Sequence, residues 1–266
     1  MKSVFTRRQF VLALASASGA ALLPVPGASA ANTPIIAAAA SLRFVLPEIG
    51  AAFEKSTGAR VRLSFASSGS LTRQIRQGAP YELFLSADES YVLDLARDGV
   101  TANSGTLYAE GRLAIFAANS SPVGTDPALA GLRSSLKSGQ LQRLAIANPE
   151  HAPYGRAARE ALMHQGLWEA IEKKLVFGEN VSQAAQFAAS ASCEAALVAL
   201  SLARAPTFSG KAHFSSLPSN WHQPLHQRMV LLPGASDVAR SFYDFLRRPE
   251  AVEIFLRHGF GEPGIG

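Results

Sequence analysis

The sequence predicts an α/β fold, because apolar runs typical of strands alternate with amphipathic helical patterns along most of the chain. The strand-like runs are continuously apolar, which is typical of parallel sheets that are covered on both faces. Several helical patterns are followed by a glycine, at Gly58, Gly78, Gly99 and Gly166, where a left-handed residue commonly ends a helix. Together these observations predict parallel sheets flanked by helices.

Each strand is predicted from a short apolar run, and each helix from apolar residues that recur every three to four positions. The predicted strands are 34–39, 60–65, 82–86, 112–117, 143–147, 174–177, 195–199, 211–215 and 227–232. The predicted helices are 42–56, 69–77, 88–97, 154–165, 167–173, 181–190 and 236–257. The last of these patterns continues without a break, so a single C-terminal helix is expected.

The first thirty residues have the features of an export signal. Residues 6–11 read T-R-R-Q-F-V, which matches a twin-arginine pattern, and the apolar stretch Phe10–Leu23 follows. Residues 28–30, A-S-A, supply the small side chains of a cleavage site. Because the apolar stretch is short for a membrane span, we predict that residues 1–30 are a twin-arginine signal peptide. The mature protein is then expected to be soluble and periplasmic.

The charge of the mature chain argues against nucleic-acid binding, and its cysteine content excludes an internal disulfide. The predicted leader holds three of the 25 basic residues and none of the 20 acidic residues, so the mature chain has a net charge of only +2. No basic block remains that would bind a nucleic acid. Cys193 is the only cysteine, which excludes an internal disulfide, and its small neighbours indicate a buried residue.

Two polar stretches that contain proline divide the mature chain into two predicted lobes. They are residues 118–142 and 216–226, and the strands beside them would cross between the lobes as a pair. Lobe one is predicted to comprise residues 31–112 plus 227–266, and lobe two residues 113–226. A ligand is then expected in the cleft between the lobes.

Four predicted helix starts carry residues that suit a small anion. Ser41 is expected to cap the helix after the first strand, and Ser68 precedes a second helical pattern. In the second half, one helix is predicted to begin near Tyr154 and another near Val181, with Asn180 as its cap. Helix N-termini present free N–H groups and the positive end of the helix dipole. Such residues also begin helices in proteins of every function, so each start alone favours a structural role over a binding role.

A tetrahedral dianion needs a site that only donates hydrogen bonds. Backbone N–H groups and the hydroxyls of serine and tyrosine can all donate. Each bond to a charged acceptor contributes about 1.5–3 kcal/mol, so five to seven of them would offset much of the cost of removing the anion from water. Oxyanions of equal charge are then distinguished mainly by the size of the cavity.

Several short segments form a specific combination when they are read in order along the mature chain. They are A-A-A-S-L (38–42), S-F-A-S-S-G-S-L-T-R-Q-I (64–75), G-A-P-Y-E-L-F-L-S-A-D (78–88), N-P-E-H-A-P-Y-G-R-A-A (148–158), V-A-L-S (198–201), F-Y-D-F-L (242–246) and A-V-E-I-F-L-R-H-G-F (251–260). In this order and spacing they resemble the periplasmic molybdate-binding proteins of ABC-type importers. The similarity extends over about residues 33–260.

The resemblance implies a type II solute-binding protein with two α/β lobes, a hinge and an interlobe ligand cleft. By position, Ser41 and Ser68 would bind the oxyanion from lobe one, and Val181 would donate its main-chain N–H from lobe two. Some relatives place a binding tyrosine where this chain has Ala199. Tyr154 is then expected to replace it, through its hydroxyl or its backbone N–H. Molybdenum would enter this site only as molybdate.

The implied function is that of a monomeric carrier, not an enzyme, which needs no cofactor and delivers molybdate or tungstate to a membrane permease. A carrier for sulfate, thiosulfate or phosphate is the nearest alternative. Phosphate would favour a carboxylate acceptor, for which only Glu150 and Glu179 are close in sequence. A periplasmic serine hydrolase is another alternative, with His151 as the one nearby base. A sensor subunit with the same fold would differ only in its partner.

Overall fold

The computed structural model describes residues 33–263, in which two five-stranded sheets are found. The strands are β1 (Ile35–Ala39), β2 (Arg62–Ala66), β3 (Leu83–Ser86), β4 (Thr106–Gly111), β5 (Leu113–Ala118), β6 (Leu144–Ala147), β7 (Leu175–Gly178), β8 (Ala195–Ala199), β9 (Ala212–Ser216) and β10 (Leu225–Leu231). The helices are α1 (Val45–Thr57), α2 (Ser68–Arg76), α3 (Glu89–Arg97), α4 (Ala130–Lys137), α5 (Pro153–His164), α6 (Trp168–Ile171), α7 (Val181–Ala189), α8 (Leu200–Ala203), α9 (Asp237–Phe245) and α10 (Pro249–Arg257). The signal peptide predicted over residues 1–30 lies outside the described residues.

Both sheets are mixed, with the orders β2-β1-β3-β10-β4 and β7-β6-β8-β5-β9. In the first sheet β1 is parallel to β2 and β3, and in the second sheet β6 is parallel to β7 and β8. β10 is antiparallel to β3 and β4, and β5 is antiparallel to β8 and β9. The prediction of wholly parallel sheets is therefore wrong for these strands. They carry the chain between the sheets without a helical crossover, which a parallel pairing would require.

Each sheet is the centre of one lobe, so the predicted α/β fold with two lobes is confirmed. The chain leaves the first sheet at the end of β4 and enters the second sheet at β5, with only Arg112 between them. It returns between β9 and β10, and β10 begins at Leu225 in the first sheet. The lobe boundaries at residues 112 and 226 stay a prediction.

Four elements differ from the sequence-based expectations. The strand β4 and the helices α4 and α8 were not expected, and the single helix over 236–257 is wrong. Pro249 interrupts that pattern, because it lacks an N–H and stands at the first position of a new helix, with Arg248 extended before it. The chain therefore turns between α9 and α10.

The C-terminal helices pack on the first lobe. The Phe53 ring of α1 lies 5.1 Å from the Phe242 ring and 5.5 Å from the Phe245 ring, both on α9, in edge-to-face contacts. A bridge between Glu110 and Gly261 joins the segment after α10 to β4. These contacts fix the last segment against the strand that leads into the second lobe. Across residues 33–263, none of the helices combines the length and apolar character needed to cross a membrane.

Candidate functional site

A small cavity lies where the two lobes meet. It is lined by Ala39, Ala40, Ser41, Ser67, Ser68, Ala87, Ala152, Pro153, Tyr154, Asn180 and Val181. The structure thus brings together all four residues that were predicted to bind a ligand, two from each lobe. They come from the ends of strands and the starts of helices, as the sequence pattern indicated.

Ser41 lies in a short 3₁₀ turn, Ala40–Leu42, at the end of β1. The prediction that it caps the first helix is wrong, because α1 begins only at Val45 and its start has no side-chain cap. The Ser41 side chain is 1% exposed, and its Oγ has no hydrogen-bond partner among residues 33–263. A buried hydroxyl without a partner costs about 1–3 kcal/mol, so this atom is available for a ligand.

Ser68 is the first residue of α2, and a single residue, Ser67, separates it from β2. Its buried Oγ accepts a hydrogen bond of 3.0 Å from the Ala87 N–H, which leaves the Ser68 hydroxyl proton free to be donated. The cap of α2 is the preceding residue, Ser67, whose Oγ accepts from the Ser70 N–H. At the first position of the helix, the Ser68 N–H has no acceptor within α2.

Tyr154 is the second residue of α5, after Pro153. The start of this helix lies very close to the end of β6, since a Cβ on Gly155 would be 2.2 Å from the Ala147 carbonyl oxygen. The Tyr154 hydroxyl accepts a 3.1 Å hydrogen bond from Gln227 Nε2 and lies beside the Ser41 side chain without forming a hydrogen bond to it. Burial raises the pKa of Tyr154 well above its ordinary value, so the hydroxyl keeps its proton.

Val181 is the first residue of α7, and the prediction that Asn180 caps this helix is confirmed. Asn180 Oδ1 accepts from the Ser182 N–H at 3.0 Å and from the Gln183 N–H at 3.1 Å. The N–H of Val181, at the first helical position, has no acceptor within α7. Since Val181 lines the cavity, this N–H is available to a ligand there.

Direct contacts between the lobes close the cleft around the cavity. The Gly69 N–H donates to the His151 carbonyl oxygen at 3.0 Å, and Ser67 Oγ lies 2.9 Å from His151 Nδ1. An ion pair of 2.8 Å joins Arg156 of α5 to Asp88 before α3. A Cβ at Gly69 would lie 2.8 Å from the His151 carbonyl oxygen, so the approach requires glycine. The structure is therefore the closed form of the two lobes.

The cavity is lined by uncharged residues, several of which can donate hydrogen bonds. No Asp, Glu, Lys or Arg is among the described residues that line it. Over residues 33–263 there is also no cluster of three His, Cys, Asp or Glu side chains that could hold a metal ion. Hydroxyls and helix N-termini favour an anion over a cation. The arrangement can bind a small oxyanion through hydrogen bonds alone.

Comparison with known proteins agrees with this geometry. Residues 35–261 match the model of a family described as bacterial extracellular solute-binding proteins. The chain is 38% identical over 260 residues to the molybdate-binding protein ModA of Rhodobacter capsulatus, covering 96% of each chain. It is 36% identical over 263 residues to ModA of Azotobacter vinelandii, covering 97% of this chain and 98% of that protein. The chain belongs to the bacterial extracellular solute-binding protein family.

A solved structure supports the same membership. The periplasmic molybdate-binding protein of Azotobacter vinelandii superposes with a TM-score of 0.76 and 29% identity, over 87% of this chain and 100% of that structure. The two-lobed periplasmic-binding-protein-like fold and the resemblance to molybdate-binding proteins are confirmed. Because the family consists of solute-binding proteins, the prediction that the chain is not an enzyme is also confirmed.

The histidine considered for a hydrolase does not reach either predicted serine. His151 Nδ1 contacts Ser67, and its Nε2 is 3.8 Å from a carboxylate oxygen of Glu179, which is 79% exposed. Ser67 is engaged as the cap of α2 and donates to Ser70 Oγ at 2.9 Å. The histidine therefore serves as a contact between lobes, and no activated serine faces the cavity within the described residues.

Sequence reasoning missed the polar residues behind Tyr154. Gln227 on β10 and Tyr108 on β4 are both buried and hydrogen-bonded to each other. A signal was present, because the alternation L-H-Q-R-M over 225–229 places Gln227 on the same face as Leu225 and Met229. A polar residue on the buried face of a strand indicates a hydrogen-bond partner inside the protein.

Proposed function

We propose that the protein binds molybdate in the interlobe cavity and delivers it to the membrane permease of an ABC importer. The observation that carries this proposal is the Ser41 hydroxyl, buried at the cavity without a partner and surrounded by further donors. Relatives that are 36% and 38% identical over nearly the whole chain are named as molybdate-binding proteins. The arrangement of donors and the sequence similarity to these relatives thus support the same ligand.

The proposed ligand set consists of the Ser41 and Ser68 hydroxyls from lobe one and the Val181 N–H and Tyr154 from lobe two. Tyr154 offers a hydroxyl that remains protonated and a backbone N–H at the second position of α5. Ala199, at the end of β8, supplies no side-chain donor, and the Tyr154 hydroxyl replaces the tyrosine found there in some relatives. Tungstate has the same charge and shape, so it is proposed as a second ligand.

The absence of a carboxylate among the described residues that line the cavity disfavours protonated oxyanions. A phosphate that carries a proton at neutral pH would need a carboxylate or carbonyl to receive it. Glu150 and Glu179 are exposed and do not line the cavity. Sulfate and thiosulfate carry no proton at this pH, so cavity size must separate them from molybdate. Competition between these anions is therefore the informative test.

Titration calorimetry on the purified protein tests the proposal. Molybdate is expected to bind with a micromolar or lower dissociation constant, and an excess of sulfate or phosphate is expected not to displace it. Tungstate should compete directly with molybdate. Heat from sulfate or phosphate together with silence toward molybdate would keep the fold and transfer the function to another oxyanion.

We further propose that residues 1–30 direct export to the periplasm through the twin-arginine pathway and that the carrier is a monomer. The paired Arg7 and Arg8 before an apolar stretch support the route. Fusing residues 1–30 to a reporter that is exported only in folded form tests it. Replacing both arginines by lysine should abolish export, and unchanged export would contradict the route. Light scattering of the purified protein tests the monomer.

A further inference from the structure

Gln227 stands at the centre of a buried hydrogen-bond chain that ends at the cavity. Its side chain is 0% exposed and lies between two tyrosines, Tyr108 of β4 and Tyr154 of α5. The Tyr108 hydroxyl lies 2.7 Å from Gln227 Oε1, and Gln227 Nε2 lies 3.1 Å from the Tyr154 hydroxyl. The chain thus runs from a strand of the first sheet to the start of a helix in the second lobe.

The two distances define the direction of each hydrogen bond. A length of 2.7 Å is typical of an O–H donor, and 3.1 Å is within the range of an N–H donor. The Tyr108 hydroxyl also lies 3.1 Å from the Ser86 carbonyl oxygen, and its single proton goes to the shorter contact, with Gln227 Oε1. This bond holds the amide with Nε2 toward Tyr154. The Tyr108 hydroxyl keeps its proton, because burial raises its pKa well above the ordinary value.

The strand β4 packs closely against these hydrogen-bonded side chains. A Cβ on Gly111, the last residue of β4, would lie 2.5 Å from the Tyr154 hydroxyl and 2.7 Å from Gln227 Nε2. Only glycine lets β4 pass beside the bond between them. The end of β4 therefore packs directly against the Gln227–Tyr154 contact.

A tyrosine hydroxyl that accepts a hydrogen bond from an amide still holds its single proton. At Tyr154 that proton is left for the side that faces Ser41 and the cavity. We propose that Gln227, oriented by Tyr108, is a positioning residue that makes the Tyr154 hydroxyl a donor to the bound oxyanion. This inference rests on the proposed function. It adds a residue that does not contact the ligand but determines the direction in which the Tyr154 hydroxyl donates its hydrogen bond.

A double-mutant cycle on molybdate affinity tests the inference. The four proteins are the wild type, Gln227→Met, Tyr154→Phe and the double variant, all measured by calorimetry. Methionine keeps the length of the side chain and removes the amide. Gln227→Met is expected to weaken binding about 10-fold, the lower range for a hydrogen bond to a charged group. In the Tyr154→Phe background, the same change is expected to alter affinity less than about 2-fold.

Tyr108→Phe provides a second variant on the far side from the cavity. It leaves Gln227 in place and removes the bond that orients its amide, together with the contact of the Tyr108 hydroxyl with the Ser86 carbonyl oxygen. Weaker binding is expected, again only when Tyr154 is present. Thermal unfolding of each ligand-free variant shows whether it is folded. Equal losses of affinity in both backgrounds, unchanged affinity in Gln227→Met, or tighter binding by it would overturn the inference.

The same titrations separate this inference from the proposed function. Absence of molybdate binding by the wild type would overturn the proposed function and the inference together. Tight binding by the wild type with no coupling between residues 227 and 154 would overturn only the inference. Coupling in both the Gln227 and the Tyr108 variants would support it.

Discussion

Replacing Ser41 by alanine should weaken molybdate binding without weakening the ligand-free protein. The Ser41 hydroxyl lines the cavity and has no partner among residues 33–263, so its removal breaks no hydrogen bond there. A hydrogen bond to a charged acceptor contributes about 1.5–3 kcal/mol, which corresponds to a loss of affinity of about 10- to 100-fold. At saturating molybdate, the stabilisation conferred by the ligand should fall by the same amount, about 1.5–3 kcal/mol.

Two other serines serve as matched controls, measured by calorimetry and by thermal unfolding with and without molybdate. Ser68→Ala should lower both affinity and stability, because Ser68 Oγ also accepts from the Ala87 N–H. Ser135→Ala should lower stability alone, since this buried serine donates to the Pro122 carbonyl and does not line the cavity. An affinity of Ser41→Ala within 2-fold of the wild type, or a loss of unfolding temperature equal to that of Ser135→Ala, would refute the reasoning.

Three further predictions address the second lobe, the closed form and pH. Val181→Pro should keep the fold, because proline is favoured at the first helical position, and should weaken molybdate binding in calorimetry, whereas Val181→Ala should bind normally. Gly69→Ala should raise the rate of molybdate release in stopped-flow measurements, because its Cβ would lie 2.8 Å from the His151 carbonyl oxygen in the closed form. Burial alone would raise the pKa of Glu89, but Arg228 and a neighbouring histidine outweigh it, so the pKa is lowered. A lowered carboxylate pKa stabilises the folded state above the unfolded-state pKa, so Glu89→Gln should reduce the unfolding temperature at pH 7 and have no effect once the pH falls below the lowered pKa. Normal release by Gly69→Ala, or a pH-independent effect of Glu89→Gln, would contradict these two assignments.

The residues around the cavity were predictable because their signals are local. Ser68 and Val181 each stand at a junction of strand and helix that is visible within about ten residues of sequence. Parallel strands end at one edge of a sheet, so the pattern also indicated that the residues of each lobe converge. The precise role of Ser41 was not local, since a 3₁₀ turn and a helix start have similar sequence patterns.

The hydrogen-bond chain behind Tyr154 could not be located in this way. Gln227 lies 119 residues from Tyr108 and 73 residues from Tyr154, and only the tertiary fold brings them together. The helix α4 was missed for a different reason. Leu129 precedes it in a left-handed conformation, and its first turn is capped from outside by Asp126, which accepts from the Ala130 and Gly131 N–H groups. The usual capping pattern directly before a helix is absent there.

A crystal structure of the purified protein with molybdate tests the central claim most directly, with X-ray data collected on both sides of the molybdenum absorption edge. The account predicts one strong anomalous peak inside the cavity. Oxygens around that peak should lie within hydrogen-bond distance of Ser41 Oγ, Ser68 Oγ, the Val181 N–H and Tyr154. A peak outside the cavity, or a cavity without molybdenum under conditions that saturate the protein, would contradict the assignment of this site.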